Sequence, residues 1–138
     1  MLLIETYLDL SPGKGLGLFA KCDIVKGTRF WLRSEVFDKV ITPDDMNSLN
    51  ELALEYVKRF GCLEKTNNWY LCADNARFSN HADNPNSKNE FDENGLIKYH
   101  VASRDIKAGE EIFCDYKELC QTCKNGISFS ESFIGPAL

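Results

Sequence analysis

The sequence predicts a mainly β domain with one inserted helix. Three observations lead there. Short apolar runs recur between clusters of Gly, Pro, Asn and Asp, the pattern of strands joined by turns. Residues 42–60 alone carry helix start and stop signals at their two ends, with apolar side chains at 3-4 spacing between them. Asn94-Gly95, a favoured pair for tight hairpins, sits between two extended runs. A chain of 138 residues suits one domain whose core needs neither disulfides nor metal. Residues 1–138 are therefore taken as a single domain, with a helical insert at about 42–60 and a C-terminal flap at about 117–138.

Taken in order, residues 2–8 and 16–22 are expected as strands around Ser11-Pro12-Gly13-Lys14-Gly15, which is turn chemistry. Gly15-Leu16-Gly17-Leu18-Phe19-Ala20 fits the loose dinucleotide pattern G-x-G-x-x-A. That pattern needs a following helix, whereas residues 21–28 hold adjacent β-branched residues and a glycine, so phosphate binding at a helix end is set aside. What survives is that Gly15 and Gly17 let backbone approach a ligand closely. Another strand is expected at 28–32. Thr42 as N-cap, Pro43 at the first position, Asp44 and Asp45 in the first turn and Gly61 past the end frame one helix. Met46, Leu49, Leu52, Ala53, Tyr56, Val57 and Phe60 are its expected buried face.

Residues 69–72, which include Tyr70, form the next expected strand, and residues 96–103 return from the Asn94-Gly95 turn. Residues 104–109 are a turn and 110–116 a final strand. Asp105-Ile106-x-x-Gly109 echoes Asp23-Ile24-x-x-Gly27, which indicates two similar strand-to-strand turns rather than a duplication. The tail from Cys120, with Phe129 and Phe133 beside Ser, Gly and Pro, is either a frayed end or an aromatic flap.

Composition narrows function. Sixteen basic against 21 acidic residues give −5, which argues against nonspecific nucleic-acid binding and suits a basic protein or peptide partner. No run approaches a membrane span, and Met1 to Glu5 lacks a signal-type start, so an intracellular location, cytoplasmic or nuclear, with reduced cysteines is expected. Of the six cysteines only Cys120 and Cys123 have ligand-pair spacing. One CxxC completes no tetrahedral zinc site and here lacks the βαβ context of a redox motif, so no metal is expected.

The densest chemistry lies between residues 75 and 86. Asn80, His81, Asp83, Asn84 and Asn86 fall within seven positions, and each needs hydrogen-bond partners if buried. By composition alone the stretch would also suit a solvated loop. Together with Gly15-Leu16-Gly17 upstream and residues 105–116 downstream, Arg77-Phe78-Ser79-Asn80-His81 followed by Pro85-Asn86 resembles the signature segments of SET domain protein lysine methyltransferases. The resemblance brackets nearly the whole chain. It implies small β-sheets in which the Asn80-His81 segment and residues 110–116 interlock as a pseudoknot. It implies S-adenosylmethionine as cofactor, held around Lys14, Gly15 and Gly17 and by Arg77, Asn80 and His81. Tyr116 would be the catalytic tyrosine, and Tyr70, Cys114, Phe129 and Phe133 would line the lysine channel. A histone or histone-like tail is one substrate such a family member would take. A catalytically silent module that binds a basic tail is the competing reading.

Two departures from the family pattern matter. Asp83 stands where many members have a zinc-binding cysteine, so that zinc site is expected to be absent, with the Phe129/Phe133 tail closing the channel by packing. Cys114 stands two before the catalytic tyrosine, where the family usually has Phe or Tyr, and its smaller side chain implies room for di- or trimethylation. Mass spectra of exhaustively reacted substrate should show dimethyl or trimethyl lysine, and Cys114→Tyr should shift the end product toward monomethyl. A monomethyl end point in the unmodified chain would refute this.

Overall fold

The computed structural model describes residues 1–119. Cys120, Cys123, Phe129 and Phe133 lie outside the described residues, so the zinc and flap expectations attached to them do too. β1 (Thr6–Ser11) and β2 (Gly15–Ala20) form an antiparallel hairpin with Ser11 opposite Gly15. Lys14 N–H closes the turn on the Ser11 carbonyl at 3.0 Å. Gly13 and Gly15 take positive φ of 73° and 79°, a region a side chain would disfavour. The hairpin begins later than residues 2–8 suggested, because Leu2 and Leu3 are drawn instead to β3 (Arg29–Leu32). Leu3 N–H donates to Phe30 O at 2.8 Å.

β4 (Lys39–Ile41) follows, and then the insert departs from expectation. It is two helices, α1 (Pro43–Asn47) and α2 (Glu51–Phe60). Thr42 is the anticipated N-cap and forms a capping box with Asp45, but Asn50 Oδ1 accepts from Ala53 N–H at 2.9 Å and starts a second helix. Ser48 Oγ donates to the Asp45 carbonyl and helps stop the first. The expected buried face is correspondingly narrow: Val57 is buried, whereas Leu52 is 76% exposed and Tyr56 is also exposed.

β5 (Cys62–Leu63) and β6 (Trp69–Leu71) precede a 3-10 turn at Asn75–Phe78. Then come β7 (Asn80–His81), β8 (Ser87–Phe91), β9 (Ile97–Ala102), β10 (Phe113–Cys114) and a helical turn, α3 (Tyr116–Leu119). The final strand is thus shorter than 110–116, and Tyr116 opens a helix rather than ending a strand. Among the described residues the strands make four small sheets: β1-β2, β3-β9-β8, β4-β6-β5 and the parallel pair β7-β10. That last pair sets the two expected knot segments side by side, with Asn80 opposite Phe113 and His81 opposite Cys114. Small sheets with the two knot segments adjoining are what the resemblance implies.

The two echoing turns meet each other. Ile24 and Ile106 exchange backbone hydrogen bonds of 2.7 and 2.9 Å. Each aspartate then caps the opposite turn, Asp23 accepting from Ala108 N–H at 2.9 Å and Asp105 from Lys26 N–H at 2.8 Å. Both isoleucines join Leu18, Phe30, Trp31 and Ile112 in the core.

One core neighbour is titratable. The His100 ring packs on Trp31 at 4.5 Å, and its Nδ1 lies 2.7 Å from Asn89 Oδ1. Asn89 Nδ2 donates to Glu118, which fixes the amide with its oxygen toward His100, so the imidazole proton sits on Nδ1. Burial pulls the His100 pKa down to about 4. The unfolded chain, with a reference value of about 6.5, binds this proton first, so stability is full above that value and falls as pH drops toward 4. Urea midpoints should show a loss on the order of 2–3 kcal/mol between pH 7 and pH 4 from this group. His100→Phe should flatten that part of the profile.

Candidate functional site

Two neighbourhoods meet at the β7-β10 pair. On one side is the glycine turn. Asn80 Nδ2 donates to Leu16 O at 3.0 Å and to Glu111 Oε1 at 2.7 Å, and Glu111 Oε2 accepts from Ser11 Oγ at 2.7 Å. Both Asn80 amide hydrogens are therefore used inward, which leaves Oδ1 as the outward acceptor. Lys14 Nζ donates to the His81 carbonyl at 2.7 Å and lies 5.9 Å from the Phe113 ring centroid. Added at Gly15, a Cβ would meet nothing within 4 Å; at Gly17 it would overlap the Glu111 carboxylate. Gly17 is thus required by close approach, and Gly15 faces open space at a positive φ.

On the other side is a cavity of about 110 Å³. Tyr70, Arg77, Ser79, Cys114, Tyr116 and Leu119 are among its lining residues. Tyr116 Oη donates to the Ser79 carbonyl at 2.7 Å, which aims the phenol along this wall. Cys114 is buried, with Sγ 3.6 Å from the Asn80 carbonyl. Tyr70 contributes its ring, while its hydroxyl is committed to Asp38 Oδ2 at 2.5 Å and to Ser34 N–H at 3.0 Å. Burial first, then Asp38, holds the Tyr70 phenol far above its usual range.

His81 joins the two sides. Tyr116 N–H donates to His81 Nδ1 at 3.2 Å, and the two rings lie 5.5 Å apart. Nε2 faces Asp83 at 3.2 Å, and Asp83 also reaches Lys117 Nζ at 3.5 Å. Its bond to His81, then Lys117, holds the Asp83 carboxyl below its ordinary value. The residue in the zinc-cysteine position therefore clips β7 to α3 by charge.

The structure brings Lys14, Gly15, Gly17, Asn80 and His81 together, and Tyr70, Cys114 and Tyr116 together. Arg77 lines the cavity. Sequence reasoning gave no separate role to Glu111, which aligns Asn80, or to Ser79, which aligns Tyr116. The adjacent acids Glu110-Glu111 were the one available signal. Among the described residues no three His, Cys, Asp or Glu side chains cluster as for a metal, and no helix is long and apolar enough to cross a membrane. Burial pushes the Cys72 thiol up to about 12, which makes it a poor redox group.

The SET domain family model matches residues 15–117. The chain belongs to the SET domain family. The match takes in both glycines, Asn80, His81 and Tyr116, so the SET signature coincides with the two neighbourhoods. Among solved structures this SET domain is similar to the Polycomb Repressive Complex 2 of Chaetomium thermophilum. A humanized mutant bound to an inhibitor is 25% identical over 88% of this chain, with a TM-score of 0.64. An apo form with mutations in Ezh2 is 25% identical over 89%, with a TM-score of 0.66. This chain spans only 16% of each of those chains. A Plasmodium falciparum candidate histone methyltransferase shares the fold at 18% identity, with 81% of this chain and 96% of that one covered and a TM-score of 0.56. A search of curated proteins returned no match.

The Gly17 contact is directly testable. Gly17→Ala should push Glu111 off Asn80 and Ser11 and lower stability by about 2 kcal/mol, the scale of hydrogen bonds to a charged group. In a Glu111→Ala background the same substitution should cost far less by urea denaturation. Additive costs would show that the two residues act independently.

Proposed function

We propose that this SET domain is a protein-lysine N-methyltransferase that uses S-adenosylmethionine. The observation that supports this most is the arrangement of the two neighbourhoods: an acceptor-bearing glycine turn on one face and a cavity lined by Tyr116 on the other, joined through His81. The cofactor fits the first face. Lys14 offers an ammonium for a carboxylate, Asn80 Oδ1 an acceptor for an ammonium, and Gly15 open space, which together suit the zwitterionic end of a methionine. The cofactor, when bound, supplies a sulfonium methyl that a neutral lysine amine can accept while the C–S bond electrons return to sulfur.

This chain's residues meet the two demands of that displacement. The amine must be neutral. From a reference pKa of about 10.4 to neutral pH deprotonation costs roughly 4 kcal/mol, and a largely apolar cavity beside Tyr70, Cys114 and Tyr116 lowers that cost by desolvation. The amine must also be aligned. Tyr116, fixed by Ser79 at its hydroxyl and by His81 at its amide, supplies a rigid oxygen at the cavity wall, and alignment of this kind can contribute on the order of 7 kcal/mol. The net charge of −5 and the histone-methyltransferase description of a structural neighbour support a basic protein, such as a histone-like tail, as substrate.

Calorimetric titration with S-adenosylmethionine should give saturable binding that Asn80→Ala weakens. Tyr116→Phe should keep that binding and lose methyl transfer by two or more orders of magnitude. The transfer rate should climb above pH 7 as the lysine amine deprotonates. A folded chain that binds no cofactor would favour the silent binding module instead.

A further inference from the structure

The cavity has a charge imbalance that methyl transfer does not explain. Three arginines line it, Arg33, Arg59 and Arg77, against one carboxylate, Glu64. Arg33 and Glu64 neutralise each other as a buried ion pair, and Arg33 also reaches Glu35 at 3.3 Å. Burial works against the Arg33 charge, but its bonds to Glu64 prevail, and its pKa is raised. Arg59 and Arg77 have no carboxylate within ion-pair distance among the described residues. Their guanidinium groups lie over Phe60 and Phe78 at 5.2 and 5.0 Å. Arg77 is the more telling of the two. Among the described residues its Nε is buried with no hydrogen-bond partner, and Nη1 reaches only the Ala73 carbonyl, at 3.5 Å. A buried donor left unpaired is unfavourable, and a guanidinium fork is the side chain best shaped to take a carboxylate.

We propose that Arg77 and Arg59 form a carboxylate-binding subsite of the cavity, so that the preferred substrate is a lysine flanked by Asp or Glu. This deepens the transferase reading and rests on it. A surplus of two positive charges in the cavity that Tyr116 also lines helps the incoming amine shed its proton, but it repels a lysine embedded among other cations. A neighbouring carboxylate removes the repulsion and satisfies Arg77. The substrate protein can still be basic overall; the discrimination is local to the residues beside the target lysine.

The test uses peptides with one lysine flanked by Asp or Glu, by Ala, or by Lys or Arg. Binding is read by fluorescence anisotropy with S-adenosylhomocysteine present, and transfer separately with S-adenosylmethionine carrying a labelled methyl. Acid-flanked peptides should bind and react on the order of tenfold better than base-flanked ones, the scale of one charge-assisted hydrogen bond, with the gap narrowing as salt rises. Arg59→Glu, an exposed rim change, should reverse the order with cofactor affinity unchanged, and Arg77→Gln should close the gap. Equal or base-favouring peptides, or a preference that both variants leave untouched, would overturn the subsite. Methyl transfer without acidic preference sinks the subsite alone. Acidic peptides that bind but accept no methyl leave the subsite standing and remove the transferase reading.

Discussion

The Asn86 side chain is the clasp on which the site depends. It is 1% exposed, and its amide donates to the Glu111 carbonyl and accepts from Phe113 N–H, both at 2.8 Å. In effect a side chain imitates a neighbouring strand for a backbone segment too short to build a full ladder. Ser87 Oγ on the Phe113 carbonyl and Ala82 N–H on the Cys114 carbonyl complete the pairing. With residues 111–114 fixed in this way, Glu111, Cys114 and Tyr116 inherit their positions. In the crowded stretch from Asn80 to Asn86, the partners of Asn80, His81 and Asn86 arrive from the other segment of the knot, while Asp83 and Asn84 are exposed.

The wall between the two neighbourhoods is one strand thick. Successive side chains of β7 leave on different sides, so Asn80 serves the glycine turn while His81 contacts Tyr116. The carbonyls of Ser79 and Asn80 face Tyr116 Oη and Cys114 Sγ. So thin a partition lets a group held on one face meet a group entering from the other. It also explains why Gly17 tolerates no side chain: behind it stands the carboxylate that orients the wall.

Much of this was legible in the sequence, and the exceptions have physical reasons. The three signature segments located both neighbourhoods, and the Thr42 N-cap with Pro43 and the first-turn acids was visible residue by residue. The broken insert was not, although Ser48 and Asn50, two capping residues two positions apart, were a readable warning inside a continuous apolar pattern. The pattern also overstated burial, since periodicity reports a face and not whether anything covers it. Pairings such as Asn89 with His100 depend on strand register, and Glu111 with Asn80 on the knot. Nothing local in the chain encodes either.

The paired turns at Asp23 and Asp105 also bear on how the protein is made. The Asp23 carboxylate and its Ala108 partner are 85 residues apart, and Lys26 waits for Asp105 across 79. A ribosome delivers the N-terminal hairpin first, with Ile24 unpaired, Asp23 capping nothing and the inner face of β2 uncovered. Only when residues 105–114 have emerged can Ile106 and Ile112 cover that face and the last segment seat against Asn86. The domain therefore closes only once residues 105–114 are available, and until then it carries an exposed apolar surface.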